Sequence, residues 1–178
     1  MKRLILFVAI AALSAPAVYS QSQASNPPRQ AKTGEVIQLG TGLNLRVTKS
    51  TKSPFTGVKL QGSALIVMLE FDGGKGASVS YKLTPDAKSD MYLMSGAQKI
   101  APLAVIEDFP SWGTDNDKEI EVLNPKDVGS VMLNFAQKGT VSVLFDLSAE
   151  QAKTPQKFTV NVHTIQPNNE RFSFVVSL

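Results

Sequence analysis

From residue 43 onward the apolar side chains recur at every second position, and that period decides most of what the chain can become. Leu43, Leu45 and Val47 alternate with Asn44, Arg46 and Thr48. The same rhythm returns at Val141, Val143, Phe145 and Leu147, at Phe158, Val160 and Val162, and at Phe172, Phe174 and Val176. Successive side chains of a strand point to opposite faces, so each run predicts a strand with one buried face and one wet face. No comparable stripe with a helical period occurs. Residues 149–154 could form one short helical turn, ended by Pro155, whose ring and missing N–H stop a helix.

The run from 63 to 71 breaks the alternation, because Leu65, Ile66, Val67, Met68 and Leu69 are all apolar. It predicts a strand in the middle of a sheet, covered on both faces. Glycines at 73, 74 and 76 end it. Residues 82–90, with Pro85 and Asp86 inside, read as a turn between strands over 78–83 and 91–94. Gln137, Lys138 and Gly139 read as a hairpin connection joining 131–135 to 141–145. With further segments at 35–39, 99–106 and 119–123 the count reaches about ten short strands, and none of them alternates with helices. The expected architecture is an all-β antiparallel sandwich of two sheets. Its core positions should include Leu45, Val47, Val67, Leu69, Leu133, Phe135, Val143, Phe145, Val160, Val162 and Phe174.

The first residues read differently. Lys2 and Arg3 precede an apolar run of about 10 residues, and small residues follow from Ser14 to Ser20, the pattern of a secretory signal peptide. A membrane span needs roughly 20 apolar residues, so cleavage is expected, after Ala17, Ser20 or Ala24, and no membrane insertion thereafter. Residues 21–33 carry no apolar pattern and hold Pro27 and Pro28, which predicts a flexible lead-in, with the folded domain over 34–178. The protein should be exported, periplasmic or extracellular. An oxidising compartment favours disulfides in small domains, yet the chain has no cysteine, so its stability must come from the core. Loss of Lys2 and Arg3 leaves 16 basic residues against 15 acidic ones, lowering the formal net charge from +3 to +1. The remaining lysines are scattered singly in the sequence, which argues against nucleic acid or anionic lipid as a partner.

The stretches LNPKDVGSVMLNF at 123–135 and GTVSVLFDLS at 139–148 resemble a family of exported bacterial immunoglobulin-like domains of unknown function. The resemblance rests on an opening Gly34-Glu35, a turn containing Pro125, and the later pattern Leu144-Phe145-Asp146-Leu147. Many members carry a lipobox cysteine and a glycine after the proline, whereas this chain has no cysteine and has Lys126. The resemblance implies an immunoglobulin-like sandwich and brings no catalytic residue with it.

Between 108 and 121 the single tryptophan stands among acidic residues. On an extended backbone Asp115, Asp117, Glu119 and Glu121 would share one face and could offer oxygens to calcium. The calcium loop with a glycine at its sixth position and a glutamate at its twelfth does not fit from Asp115, so the expectation is a solvated acidic segment holding no metal. Trp112, between Pro110 and Gly113, could cap the open end of the core together with Phe109, or anchor a partner or ligand. His163 opposes the parity of Phe158, Val160 and Val162 and should face solvent. No Gly-x-Ser-x-Gly elbow and no metal-ligand pair at fixed spacing accompanies it. Together these features predict a non-enzymatic interaction module without cofactor, whose partner is a protein or envelope component. A small-ligand or calcium module centred on residues 112–121 is the alternative.

Overall fold

A computed structural model describes residues 27–40, 42–73, 78–83, 89–108, 120–122, 129–134, 138–166 and 169–178. In chain order the strands are β1 (Arg29–Lys32), β2 (Val36–Gln38), β3 (Leu43–Ser50), β4 (Ser63–Gly73), β5 (Ser78–Leu83), β6 (Met91–Ser95) and β7 (Gln98–Ile100). They continue as β8 (Ala104–Asp108), β9 (Ile120–Val122), β10 (Gly129–Asn134), β11 (Lys138–Leu147), β12 (Gln156–Gln166) and β13 (Glu170–Ser177). One sheet has six strands in the order β2-β3-β4-β11-β8-β9. The other has seven, β1-β13-β12-β5-β10, with β6 also on β12 and β7 on β6. The fold is an all-β sandwich.

The alternating residues meet between the sheets. Leu45, Val47, Val67, Leu69, Val143 and Phe145 from the six-stranded sheet join Leu93, Phe158, Val160, Val162 and Phe174 from the other, all within 2% of full burial. Phe145 and Phe158 meet edge to face with centroids 6.1 Å apart. Their opposed ring quadrupoles favour that geometry.

The doubly apolar run occupies β4, between β3 and β11, where both faces are covered. Val67, Leu69 and Phe71 enter the main core, while Ile66 joins a second cluster on the outer side with Phe55, Ala104, Ile106 and Leu144. Phe55 and Val58 reach that cluster from the connection at 51–62. Asp146 holds the connection down: its Oδ2 accepts a bond from the Gln61 N–H at 2.7 Å and its Oδ1 one from the Gly62 N–H at 2.9 Å. The four residues Leu144 to Leu147 thus serve both sides of one strand. Leu144 packs outward, Phe145 and Leu147 inward, and Asp146 pins the loop.

Three sequence expectations are corrected. Arg29–Lys32, within the segment read as a lead-in over 21–33, forms β1, parallel to β13 from Phe174 to Ser177. Ladder bonds join backbone to backbone, so a strand with only Ala31 buried gives little apolar signal. Gly34, at φ 79°, then turns the chain toward the second sheet, a conformation that a side chain with a Cβ disfavours. The segment 99–106 is two strands rather than one, since β7 belongs to the seven-stranded sheet and β8 to the six-stranded sheet. Pro102 lies between them and lacks the N–H that a continuous ladder would use. The expected hairpin of 131–135 with 141–145 is absent: β10 pairs with β5, and β11 pairs with β4 and β8. β10 therefore belongs to the seven-stranded sheet and β11 to the six-stranded one. β1 covers the last half of β13, from Phe174 to Ser177.

The expected helical turn is a 3-10 turn at Gln151–Lys153. Ser148 Oγ accepts the Gln151 N–H while Gln151 Oε1 accepts the Ser148 N–H, so two backbone donors are satisfied reciprocally.

Candidate functional site

The side of the seven-stranded sheet that faces away from the core gathers charge that the sequence keeps apart. Val160, Val162, Tyr81, Leu93 and Phe174 point inward, so Asn161, His163, Lys82, Tyr92, Met94, Arg171 and Ser173 lie on the opposite face. Pair registers order them into rows. Lys99 stands opposite Met94, which stands opposite Lys157. Tyr92 faces Thr159 and Thr159 faces Val175. Ser80 faces His163, which faces Arg171. Lys157 and Arg171 are exposed, and Lys82 and Lys99 half-buried.

β12 is the axis of this face, and one of its edges is shared. β6 pairs with it over 156–160 and β5 over 163–166, so the two strands lie end to end along one partner. Asp90 closes the gap: its carbonyl accepts the Asn161 N–H at 2.9 Å, its N–H donates to the Lys82 carbonyl at 2.7 Å, and its Oδ2 accepts the Lys82 N–H at 2.7 Å. Burial pushes the Asp90 carboxyl above its ordinary range, against the opposing pull of the Lys82 N–H bond and of the charges on Lys82, Arg171 and Lys99. Three cations, Lys82, Arg171 and Lys99, thus act on the Asp90 carboxyl. The Lys99 ammonium also sits 3.5 Å from the centroid of the Tyr92 ring, a cation held over a π face. His163 Nε2 and Asn169 Oδ1 are hydrogen-bonded to each other.

The outer side of the six-stranded sheet differs. Arg46 pairs with Glu70 at 3.7 Å, both about half exposed, and the Phe55 cluster covers part of the surface. The exposed large apolar side chains among the described residues, Val36 and Leu60, belong to β2 and to the 51–62 connection.

Within the sandwich Tyr81 of β5 donates its hydroxyl to Glu107 Oε1 of β8 at 2.6 Å, tying the two sheets together. Glu107 shares the inward parity of Val105, and that parity was the available signal for an inward-facing carboxylate.

Of the residues singled out in the sequence, Phe109, Trp112, Asp115, Asp117 and Glu119 lie outside the described residues. Glu121 is in β9, opposite Val105. His163 is half-buried on the outward face, as its parity requires. Among the described residues no group of three His, Asp or Glu side chains gathers as metal ligands would, and no helix is long and apolar enough to cross a membrane.

No family model matches the chain, and no curated protein does. Among solved structures it is similar to an uncharacterised β-sandwich protein from Clostridium difficile 630, with TM-score 0.46 and 10% identity over 85% of this chain and 94% of that one. It is also similar to MPT63, a secreted protein from Mycobacterium tuberculosis, with TM-score 0.42 and 14% identity over 85% and 98% of the two chains. A third likeness is to the yeast GGA1 GAE domain, with TM-score 0.32 and 11% identity over 82% and 99%. These likenesses concern strand arrangement and carry no activity across.

Proposed function

We propose that this protein is an exported, non-enzymatic sandwich of the immunoglobulin-like kind that works in the periplasm or outside the cell as an interaction module, with a protein of the envelope as partner. The N-terminal sequence supports export. The observation that carries the reading is the convergence of Lys82, Lys99, Lys157 and Arg171 on one outward sheet face. Like charges brought together repel, and a partner of opposite charge turns that cost into attraction, faster encounter and a defined register. Sheet faces are rigid platforms, so little ordering entropy is lost when such a surface docks.

The test places a photo-crosslinking amino acid at Lys157 or, as a control on the other sheet, at Val36, in the full chain expressed in its native host. Envelope fractionation and intact-mass analysis accompany it. The expected result is a processed chain beginning between Val18 and Ser25 in the envelope or medium, and one defined protein adduct from position 157 alone. An unprocessed cytoplasmic chain would overturn export, and adducts from position 36 but not 157 would move the docking surface to the other sheet.

A further inference from the structure

The dimensions of the cationic face say what kind of acidic partner it fits. Its charges are not focused on a point. Lys99 and Lys157 flank Met94 at one end of β12, and Arg171 stands beside His163 at the other. The six residue steps from Lys157 to His163 cover about 20 Å of strand at roughly 3.3 Å each. Lys82 lies between these ends, beside Asp90. A small anion would meet only part of this array, whereas an extended acidic segment of about six residues has the same rise and reaches all of it. Polar side chains fill the intervals, with Ser80, Asn161 and Ser173 between the cations.

Two other anionic partners fit less well. A membrane surface binds most firmly where apolar side chains enter beside the cations, and the exposed ones, Val36 and Leu60, are on the opposite sheet and its covering loop. Single-stranded nucleic acid needs open aromatic faces for its bases, and the Tyr92 ring already carries the Lys99 ammonium. We infer that the outward face of the seven-stranded sheet binds an extended acidic segment of a protein, laid along β12 across Lys99, Lys157, Lys82 and Arg171. This inference rests on the docking face proposed above and adds the chemistry of the partner.

The experiment is a fluorescence-anisotropy titration of the full exported chain with a labelled octapeptide of alternating Glu and Ser. Free glutamate, an octapeptide of alternating Lys and Ser, vesicles rich in anionic lipid, and a DNA oligonucleotide serve as comparison probes. Binding of the acidic peptide alone is expected, weakening as salt screens the charges. The double variant K157E/R171E should weaken it by about tenfold or more, with an unchanged thermal melt showing an intact fold. Asp90→Asn keeps an oxygen for the Lys82 N–H and removes the opposing charge, so it should tighten binding by about threefold. Equal binding by wild type and both variants would overturn the inference, as would vesicles or DNA bound as tightly as the peptide. If crosslinking from position 157 still captures a protein while the acidic peptide fails to bind, the docking face stands and its acidic occupant falls.

Discussion

Replacing Gly62 by alanine puts the clamp between Asp146 and the 51–62 connection to a quantitative test. A Cβ at position 62 would lie 2.0 Å from the Leu147 carbonyl oxygen and 2.9 Å from its carbon, with Asp146 Oδ1 at 3.3 Å. The obstructing atoms are backbone of β11, held at Leu147 by its ladder to Ser63 of β4, so the connection is the part that moves. Its movement pulls the Gln61 and Gly62 N–H groups off the carboxylate. Hydrogen bonds to a charged acceptor contribute about 1.5–3 kcal/mol each, and water reaches this pair, so the lower figure applies and about 3 kcal/mol is lost. Alanine returns about 0.4–1 kcal/mol by restricting the unfolded chain, leaving a net loss of about 2–3 kcal/mol. Urea unfolding measures it, and the melting temperature should fall by roughly 5–10 °C. The double variant with Asp146→Ala distinguishes this mechanism from a general clash. Both substitutions release the same anchor, so their effects should fall short of additivity by about 1–2 kcal/mol. A loss for Gly62→Ala inside the usual surface scatter of about 0.5 kcal/mol, or full additivity of the pair, would refute the clamp.

Phe145 is fully buried and stacks edge to face on Phe158, so Phe145→Ala should cost about 3–5 kcal/mol in the same urea assay. Asp90 has its folded carboxyl raised, so between its ordinary and its raised pKa the folded state binds more protons than the unfolded one, and stability falls as pH rises through that window. Asp90→Asn should flatten this slope, which chemical unfolding across acidic to neutral pH would show. For Asp115, Asp117, Glu119 and Glu121 the expectation is no structural metal: a melt in chelator and then in millimolar calcium should not shift. A rise of several degrees, abolished by Asp115→Asn with Asp117→Asn, would promote the calcium reading, since native-state binding at a hundred times the dissociation constant adds about 2.7 kcal/mol.

Periodicity made the sandwich legible because burial acts on every second side chain, and Leu45, Val47, Val143, Phe145, Val160, Val162 and Phe174 all lie in the core. Leu133 and Phe135 are expected core positions whose side chains fall outside the described residues. Periodicity says nothing of which strand pairs with which. β10 and β11 are close neighbours in the chain, yet each finds its ladder in a different sheet. β1 was hidden for the opposite reason, since backbone bonds to β13 place it and only Ala31 is buried. The cationic face was invisible as well. Lys82, Lys99, Lys157 and Arg171 share a surface only because their strands share a sheet, and sheet membership is a long-range property. The segment with Trp112 stood out by composition, which is a local signal and does not locate a site.

The parallel pairing of β1 with β13 also sets how the domain bears tension. Arg29 lies beside Phe174 and Lys32 beside Ser177, so a pull toward the N-terminus on β1 and toward the C-terminus on β13 acts from opposite ends of the same ladder. The two strands would have to slide lengthwise past each other, straining all their hydrogen bonds at once rather than opening them one after another. An unfolding barrier loaded in this way governs survival under force. Stretched from both strands, this sandwich would resist at its outermost strand, where four residues hold the chain like a lap joint.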